Sequence, residues 1–254
     1  MQLMGNTALV TGAGSGLGAA TARYFAAQGT RVVLLDFDID RARMVAGEIG
    51  GHAVQADVSD EAAVGRALDE AAGLLEGAPR IVVNCAGVGH AARIVGREGK
   101  LSFDTFEKTL KVNLFGTYNV MSHAAKRMLG EDPLETGERG VIVNTASVAF
   151  EDGQLGQAAY SASKGGIAAM SLPAAREFAQ HGIRVMAIAP GLFRTPMMEG
   201  LPEEVTTKIT ANIPFPPRLG EPDEFALLAG HIASNSFLNG TTIRLDGAVR
   251  LPPR

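Results

Sequence analysis

The stretch TALVTGAGSGLG, residues 7–18, decides the fold. An apolar run, Thr7–Thr11, leads directly into a glycine-rich turn and then into a segment of helical length. Glycines at such a turn let backbone N–H groups approach a pyrophosphate, which then lies on the helix N-terminus. The spacing from Gly12 is GxxxGxG and not GxGxxG, so a glycine-rich turn without a ligand is the alternative. We predict cofactor contacts from Gly12, Ser15, Gly16, Leu17 and Gly18.

Further apolar runs alternate with helix-length segments along the rest of the chain. Strands are predicted at 7–11, 31–36, 53–55, 81–84, 141–146, 184–189 and 242–245, and helices near 17–28, 38–49, 60–75, 103–129, 157–181 and 222–233. This alternation indicates βαβ units and a parallel sheet that helices cover on both faces. We therefore expect a single doubly wound α/β domain of Rossmann type over residues 1–254.

Two stretches, Gly89–Leu101 and Gly191–Gly220, interrupt the alternation. Long loops within a compact domain are often lids or binding segments. We expect both at the sheet edge formed by the carboxyl ends of the strands, which is the ligand side of open α/β sheets. The second carries apolar residues that suit a lid or a helix packed on the core, namely Phe193, Met197, Met198, Leu201, Ile209, Ile213 and Phe215.

Composition limits the classes of function. A net charge of −4 gives no support for nucleic-acid binding, and no apolar run approaches the roughly 20 residues that span a bilayer. The five histidines are scattered without metal-ligand spacing, so we predict no metal. The single Cys85 cannot form an internal disulfide, and the strand at Thr7 leaves no room for a signal peptide. We expect a cytoplasmic protein.

Asp36 ends the second strand about twenty residues after the glycine turn, where a carboxylate can accept hydrogen bonds from ribose hydroxyls. At about 4 Å, a 2′-phosphate would be repelled by on the order of a few kcal/mol. No basic residue stands at Ala13 or Phe37 to reverse that preference. NAD is therefore favoured over NADP, and an exposed aspartate without a ligand is the alternative.

The ends of the third and fourth strands reach the same edge. Asp57-Val58 follows the third strand, and the Asp57 carboxylate could accept from an adenine amino group. The stretch Asn84-Cys85-Ala86-Gly87 follows the fourth, and its small residues would let the backbone pass close to the ribose. Cys85 is interpreted as a small buried residue rather than a reactive thiol.

A second constellation lies in the other half of the chain. Ser147 stands thirteen residues before Tyr160, and Lys164 follows that tyrosine by four. If Tyr160 opens a helix, Lys164 lies one turn on along the same face. Its cation can then favour ionisation of the phenol, which has a pKa near 10 in water. These residue types are common, so the set gains its weight from the dinucleotide-binding pattern in the same chain.

Taken together, these motifs resemble the short-chain dehydrogenase/reductases over essentially the full length. The motifs in family order are Thr11–Gly18, Asn84–Gly87, Asn113, Ser147, Tyr160–Lys164 and Pro190-Gly191. The resemblance implies the strand order 3-2-1-4-5-6-7, a homotetramer and a substrate loop at about 191–220.

The same resemblance implies residue roles. Ser147 would polarise the substrate oxygen and Tyr160 would exchange its proton. Lys164 would lower the tyrosine pKa and bind the nicotinamide ribose, while Asn113 would support a water-linked relay behind Lys164. Pro190, Gly191, Phe193 and Thr195 would lie at the nicotinamide end of the cofactor. By itself, Asn113 would read as a polar residue that bends a helix.

A narrower likeness is to the type 2 3-hydroxyacyl-CoA dehydrogenases, the 17β-hydroxysteroid dehydrogenase type 10 group. It is carried by residues 150–160, 189–193, 213–216 and 237–248, and by the insertion before Leu101. In that group Gln154 would lie beside the reacting end of the substrate, although it could equally fix its loop by hydrogen bonding. The insertion departs from the group pattern, so Arg93, Arg97 and Lys100 either contact CoA phosphates or form a solvated loop.

The sequence thus predicts NAD-dependent oxidation of a secondary alcohol, with (3S)-3-hydroxyacyl-CoA as the small-molecule substrate. A hydroxysteroid or another hydrophobic alcohol remains an alternative substrate. A 3-oxoacyl-[acyl-carrier-protein] reductase is a further alternative, and Asp36 and Ala13 speak against its use of NADPH. From another class, a non-catalytic NAD-binding sensor would not need the intact Asn113, Ser147, Tyr160 and Lys164.

Overall fold

A computed structural model describes residues 1–196 and 210–253 of the chain. The predicted loop residues Met197, Met198, Leu201 and Ile209 lie outside this part. Within it, no helix has the length and apolar character needed to cross a bilayer.

Seven parallel strands form one sheet in the order β3-β2-β1-β4-β5-β6-β7, which confirms the predicted topology. The strands are β1 (Thr7–Thr11), β2 (Arg31–Asp36), β3 (His52–Gln55), β4 (Ile81–Asn84), β5 (Gly140–Thr145), β6 (Ile183–Pro190) and β7 (Thr242–Leu245). Every residue of β1, β4, β5 and β6 is buried, as expected where helices cover both faces of a sheet.

Helices pack on both faces of this sheet. They are α1 (Gly16–Ala27), α2 (Ile39–Ile49), α3 (Glu61–Leu75), α4 (Phe103–Leu110), α5 (Gly116–Met128), α6 (Ala158–Phe178) and α7 (Pro222–Ser234). Alternate β1 side chains divide between two cores: Ala8 and Val10 pack with α1, α2 and α7, whereas Leu9 packs with α3, α5 and α6. The strand period of two therefore fixes which helices share a core.

The predicted continuous helix over 103–129 is wrong in one detail. A π-helical turn, Lys111–Phe115, separates α4 from α5. Asn113 lies in this turn, where its side chain accepts from the Val88 amide (2.8 Å) and donates to the Val88 carbonyl (3.0 Å). Such turns are rare and insert an extra residue into the helix, which the apolar periodicity does not reveal. The turn directs Asn113 towards the loop after β4.

The direction in which successive strands are added reverses between β1 and β4, which are neighbours in the sheet. Crossovers from β1 and β2 run towards β3, whereas those from β4 and β5 run towards β7. A crevice opens at such a switch point, outside the carboxyl ends of the strands. Here the turns after β1 and β4 approach so closely that a Cβ at Gly12 would lie 2.8 Å from the Ala86 backbone.

The segment after β6 is tied to the chain that precedes α7. The Gly220 amide donates to the Leu192 carbonyl (2.9 Å), and the Arg194 amide donates to the Gly220 carbonyl (2.8 Å). The buried Phe193 ring covers Gly220, where an added Cβ would lie 2.8 Å from the ring. An ion pair between Arg194 and Glu221 (3.1 Å) adds to this junction. Both ends of the segment 194–220 are thus joined beside the sheet edge.

Candidate active site

A cleft of about 700 Å³ opens at the carboxyl edge of the sheet, which is within the size range of sites for small molecules and cofactors. One end is formed by the glycine turn and Asp36, and the other by Ser147 and Tyr160. Most of the predicted site residues line it, namely Gly12, Ser15, Gly16, Leu17, Gly18, Asp36, Asp57, Val58, Cys85, Ala86, Gly87, Ser147, Gln154, Tyr160, Lys164, Pro190, Gly191, Phe193 and Thr195.

The glycine turn has no space for a side chain at Gly12 or Gly18. Gly12 has a φ of +62°, and a Cβ at Gly18 would collide with the Gly12 carbonyl oxygen. Ser15 is the N-cap of α1, and its side chain makes no capping bond. The first turn of α1 therefore presents N–H groups to the cleft, the arrangement that binds a phosphate. This turn fits a dinucleotide.

Asp36 lies directly beside the glycine turn. Its Oδ2 accepts from the Gly14 amide (2.8 Å) and its Oδ1 accepts from the Asp38 amide (2.9 Å). Each carboxylate oxygen has a further lone pair that a ribose hydroxyl can use. Arg41 also adjoins Gly14, where its Cβ would lie 2.9 Å from an added Cβ, and its side chain pairs with Asp38 (3.2 Å).

Asp36→Ala is expected to raise the KM for NAD on the order of tenfold and to narrow the preference over NADP, because a carboxylate acceptor and a like charge are both removed. Adding Arg41→Ala to Asp36→Ala should reverse part of the gain in NADP binding. Without Asp36, the nearby Arg41 is the cation that can attract the 2′-phosphate. Asp40→Ala is the matched control, because Asp40 is an exposed carboxylate that pairs with Arg43. Steady-state kinetics with both cofactors would check this. An unchanged KM for NAD would remove Asp36 as the ribose ligand.

Asn84 is a predicted cofactor residue that does not line the cleft. It is buried, and its Nδ2 donates to Asn144 Oδ1 (2.9 Å), its register partner on β5. Its Oδ1 has no hydrogen-bond partner within the described part of the chain. The side chain is thus engaged with the neighbouring strand, and the segment beyond it, from Cys85 to Gly87, lines the cleft. Direct contact of Asn84 with the cofactor stays a prediction.

Two other predicted cofactor residues, Asp57 and Cys85, each form hydrogen bonds with one residue of the chain. Asp57 is exposed, and its Oδ1 accepts from the backbone amide (2.9 Å) and hydroxyl (2.7 Å) of Ser59. Burial raises the pKa of the Cys85 thiol to about 11, although the Thr145 hydroxyl donates to its sulfur (3.7 Å). A neutral thiol is a poor nucleophile, which favours the interpretation of Cys85 as a small packing residue, and its side chain is partly buried against the core.

Ser147, Tyr160 and Lys164 meet at the other end of the cleft. Ser147 begins a short 3-10 turn, where its Oγ accepts from the Ala149 amide (3.2 Å). Tyr160 lies in the first turn of α6, and Lys164 follows one turn later with its Nζ 5.8 Å from the centre of the phenol ring. The Lys164 ammonium donates to the Thr145 carbonyl (2.7 Å) at the end of β5. The predicted constellation is thus assembled by one helix and one strand end.

Burial dominates the ionisation of this group. It raises the pKa of Tyr160 above its usual value, and the hydrogen bond with Ser147 only partly offsets the rise. It also lowers the pKa of Lys164 to about 8. Removal from water thus disfavours the charged forms of both residues. That Lys164 lowers the tyrosine pKa stays a prediction.

Asn113 lies behind Lys164 and outside the cleft lining. Besides its two bonds to Val88, its Nδ2 donates to Ser163 Oγ (3.1 Å). Gly87 lies between the two residues: a Cβ there would be 3.2 Å from Asn113 Oδ1 and 3.6 Å from Lys164 Nζ. This position is compatible with a relay behind the lysine, and that role stays a prediction.

Gln154 lines the cleft, but its side chain is engaged. Its Nε2 donates to the Pro252 carbonyl (3.0 Å) near the C-terminus, and the neighbouring Leu155 amide donates to the Pro253 carbonyl (3.1 Å). The C-terminal tail, residues 246–253, was not predicted to reach the site, and its Leu251 also lines the cleft. Its short apolar and proline-rich run has no periodicity that would have indicated a place in the site.

The remaining predicted residues divide by location. A methyl carbon of Thr195 would lie 3.6 Å from a Cβ at Gly16, so this residue stands beside the glycine turn. Phe193 contributes one edge of the cleft from its buried position against Gly220. The insertion residues are exposed and outside the lining, namely Arg93, Arg97 and Lys100. The described residues contain no group of three or more His, Cys, Asp or Glu side chains that could hold a metal ion.

Comparison with known proteins agrees with this geometry. The family model described as short chain dehydrogenase matches residues 6–206. The chain belongs to this family. It is 48% identical over 253 residues to 3-hydroxyacyl-CoA dehydrogenase type-2 from Homo sapiens, covering 98% of this chain and 97% of that protein.

Two further dehydrogenases are similar over nearly the whole chain. A (3R)-3-hydroxyacyl-CoA dehydrogenase from Mus musculus is 34% identical over 263 residues, covering 98% of each protein. The crystal structure of 3-hydroxyacyl-CoA dehydrogenase type-2 from Mycobacterium avium superposes with a TM-score of 0.94 at 43% identity, and covers 98% of each chain. The narrower resemblance is thus confirmed.

Proposed function

We propose that this short chain dehydrogenase oxidises (3S)-3-hydroxyacyl-CoA to 3-oxoacyl-CoA with NAD. The observation that carries the proposal is one cleft with the glycine turn and Asp36 at one end and Ser147, Tyr160 and Lys164 at the other. The similarity to 3-hydroxyacyl-CoA dehydrogenases type-2 over nearly the full length supports the substrate class. A homotetramer and a cytoplasmic location stay predictions.

The cofactor would be held by residues of this chain that fit it. The first turn of α1 would bind the pyrophosphate through its N–H groups. Asp36 would accept hydrogen bonds from the adenosine ribose, and Lys164 would donate to the nicotinamide ribose. When bound, NAD supplies the acceptor for the hydride that leaves the substrate carbon.

The chain's own residues would move the proton. Ser147 Oγ donates to the substrate oxygen, which fixes the alcohol beside Tyr160 and stabilises the negative charge that develops on that oxygen. Tyr160, as the phenolate, takes the hydroxyl proton. Because burial raises the pKa of Tyr160 in the protein alone, the phenolate needs positive charge nearby. Lys164 provides one such charge, and its bond to Thr145 holds it under the ring.

The decisive experiment is the appearance of NADH absorbance with purified protein, NAD and a short-chain (S)-3-hydroxyacyl-CoA. We expect robust turnover, and a much lower kcat/KM with NADP because of Asp36. The (R) enantiomer and a hydroxysteroid would run in parallel. Turnover of only the (R) thioester would reverse the stereochemical assignment. Turnover of only the steroid would retain the Ser-Tyr-Lys chemistry and overturn the substrate.

A further inference from the structure

The loop between Ser147 and Tyr160 is joined to two distant segments. On one side its Gln154 side chain and Leu155 amide donate to the tail carbonyls of Pro252 (3.0 Å) and Pro253 (3.1 Å). On the other side the Ala92 amide donates to the Gly156 carbonyl (2.8 Å). The loop after β4, the loop before α6 and the tail therefore form one hydrogen-bonded rim at the catalytic end of the cleft.

Arg244 holds the start of the C-terminal tail in place through contacts with Asp246 and Val249. Arg244 on β7 pairs with Glu151 (2.6 Å), Asp152 (2.6 Å) and Asp246 (2.8 Å), and its guanidinium also donates to the Val249 carbonyl (3.1 Å). The Arg244 side chain is only 17% exposed. An arginine that bonds several carboxylates in a partly buried site holds its partners in a defined geometry. The tail therefore starts from a rigid anchor on the loop that carries the site.

Leu251 follows this anchor and lines the cleft. The rim segments contribute the four apolar side chains Ala91, Val148, Ala149 and Leu251 to the cleft lining, together with the polar ones His90, Gln154 and Gln157. Among the described lining residues, Lys164 is the sole lysine or arginine, and Thr145 already binds it. The four apolar side chains suit an alkyl group, and among the described lining residues no arginine or second lysine is available to the phosphates of CoA.

We propose that Leu251 is a specificity-determining residue that forms the end wall for the acyl chain, and that Gln154 acts as a positioning residue by holding the tail in place. The proposal rests on the proposed function only in that the cleft must bind a secondary alcohol with an alkyl substituent.

The test compares kcat/KM for a short-chain and a long-chain (S)-3-hydroxyacyl-CoA. Leu251→Phe should lower the long-to-short ratio at least about tenfold, and Leu251→Ala should raise it, because differences of a few carbon atoms in an apolar pocket have effects of this size. Gln154→Ala should change the ratio in the direction of Leu251→Ala, since a released tail no longer defines the wall. Pro253→Ala is the matched control: its side chain is exposed and outside the cleft lining.

NADH binding, followed by fluorescence, and the melting temperature should stay close to wild type in all variants. The role of Leu251 would be overturned if its variants lowered kcat/KM equally for both substrates or left the long-to-short ratio unchanged. If the wild type turns over no thioester, the proposed function fails by itself. The role of Leu251 is then tested with a small and a bulky secondary alcohol that the enzyme accepts. Leu251→Phe must lower the bulky-to-small ratio of kcat/KM, and Leu251→Ala must raise it.

Discussion

Replacement of Tyr160 by phenylalanine is expected to lower kcat by roughly a thousandfold or more, in the upper range of what a positioned acid–base group contributes. The change removes one oxygen and leaves the ring, so cofactor binding and folding should persist. NADH fluorescence titration should therefore give a wild-type dissociation constant for the same variant. Tyr118→Phe is the matched control, because Tyr118 is 57% exposed on α5 and lies outside the cleft lining.

The wild type should also show a characteristic pH profile. Because burial raises the pKa of Tyr160, the phenolate fraction increases with pH, and the rate of alcohol oxidation should rise from neutral towards alkaline pH. Near-wild-type turnover in folded Tyr160→Phe would eliminate the tyrosine as the base. A flat profile of kcat/KM across the same range would show that proton transfer at Tyr160 does not limit oxidation.

Lys164→Met is expected to abolish most activity and yet to leave the protein at least as stable as wild type at pH 7. The folded-state pKa of about 8 lies below the ordinary 10.5, so the folded state binds fewer protons than the unfolded chain between these values. Burial of the charged form then destabilises the protein fully below pH 8, and the effect fades as the pH rises towards 10.5. The difference between the two pKa values corresponds to about 3 kcal/mol of destabilisation that Lys164→Met would remove. The variant would also lose the hydrogen bond to Thr145, which stabilises the fold by about 1 kcal/mol.

Thermal melts from pH 7 to pH 10 would test this prediction. The stability of wild type relative to Lys164→Met should increase with pH, whereas kcat of the variant should stay at least about a hundredfold below wild type. Lys126→Met, on the exposed surface of α5, is the control with the same substitution. A constant difference between wild type and Lys164→Met would refute a buried ammonium with a lowered pKa.

The fold was accessible from sequence because its signals are local and repeated. Apolar runs such as Ile81–Asn84 and turns such as Gly12–Gly18 punctuate the chain, and the predicted strands match the observed ones within about two residues. The π-helical turn around Asn113 escaped prediction, since one inserted residue barely disturbs helical periodicity. The strand order came from the family resemblance and not from the residues alone.

The site was partly accessible for the same reason. Ser147, Tyr160 and Lys164 are near in sequence, so helix geometry brings two of them together. The burial that opposes ionisation of Tyr160 depends on the folded surroundings of α6 and could not be inferred from spacing. The bond between Gln154 and Pro252 joins residues 98 positions apart, and no local pattern encodes such a contact.

The junction at Leu192–Arg194 and Gly220 has a consequence for how this protein can change over time. Since its two hydrogen bonds close the segment at its base, insertions or deletions between these points act on a closed loop whose ends are already fixed. Doubling the length of such a loop costs only about 0.6 kcal/mol in closure entropy. The strands can therefore keep their register when the chain between the two anchors is exchanged for one of different length.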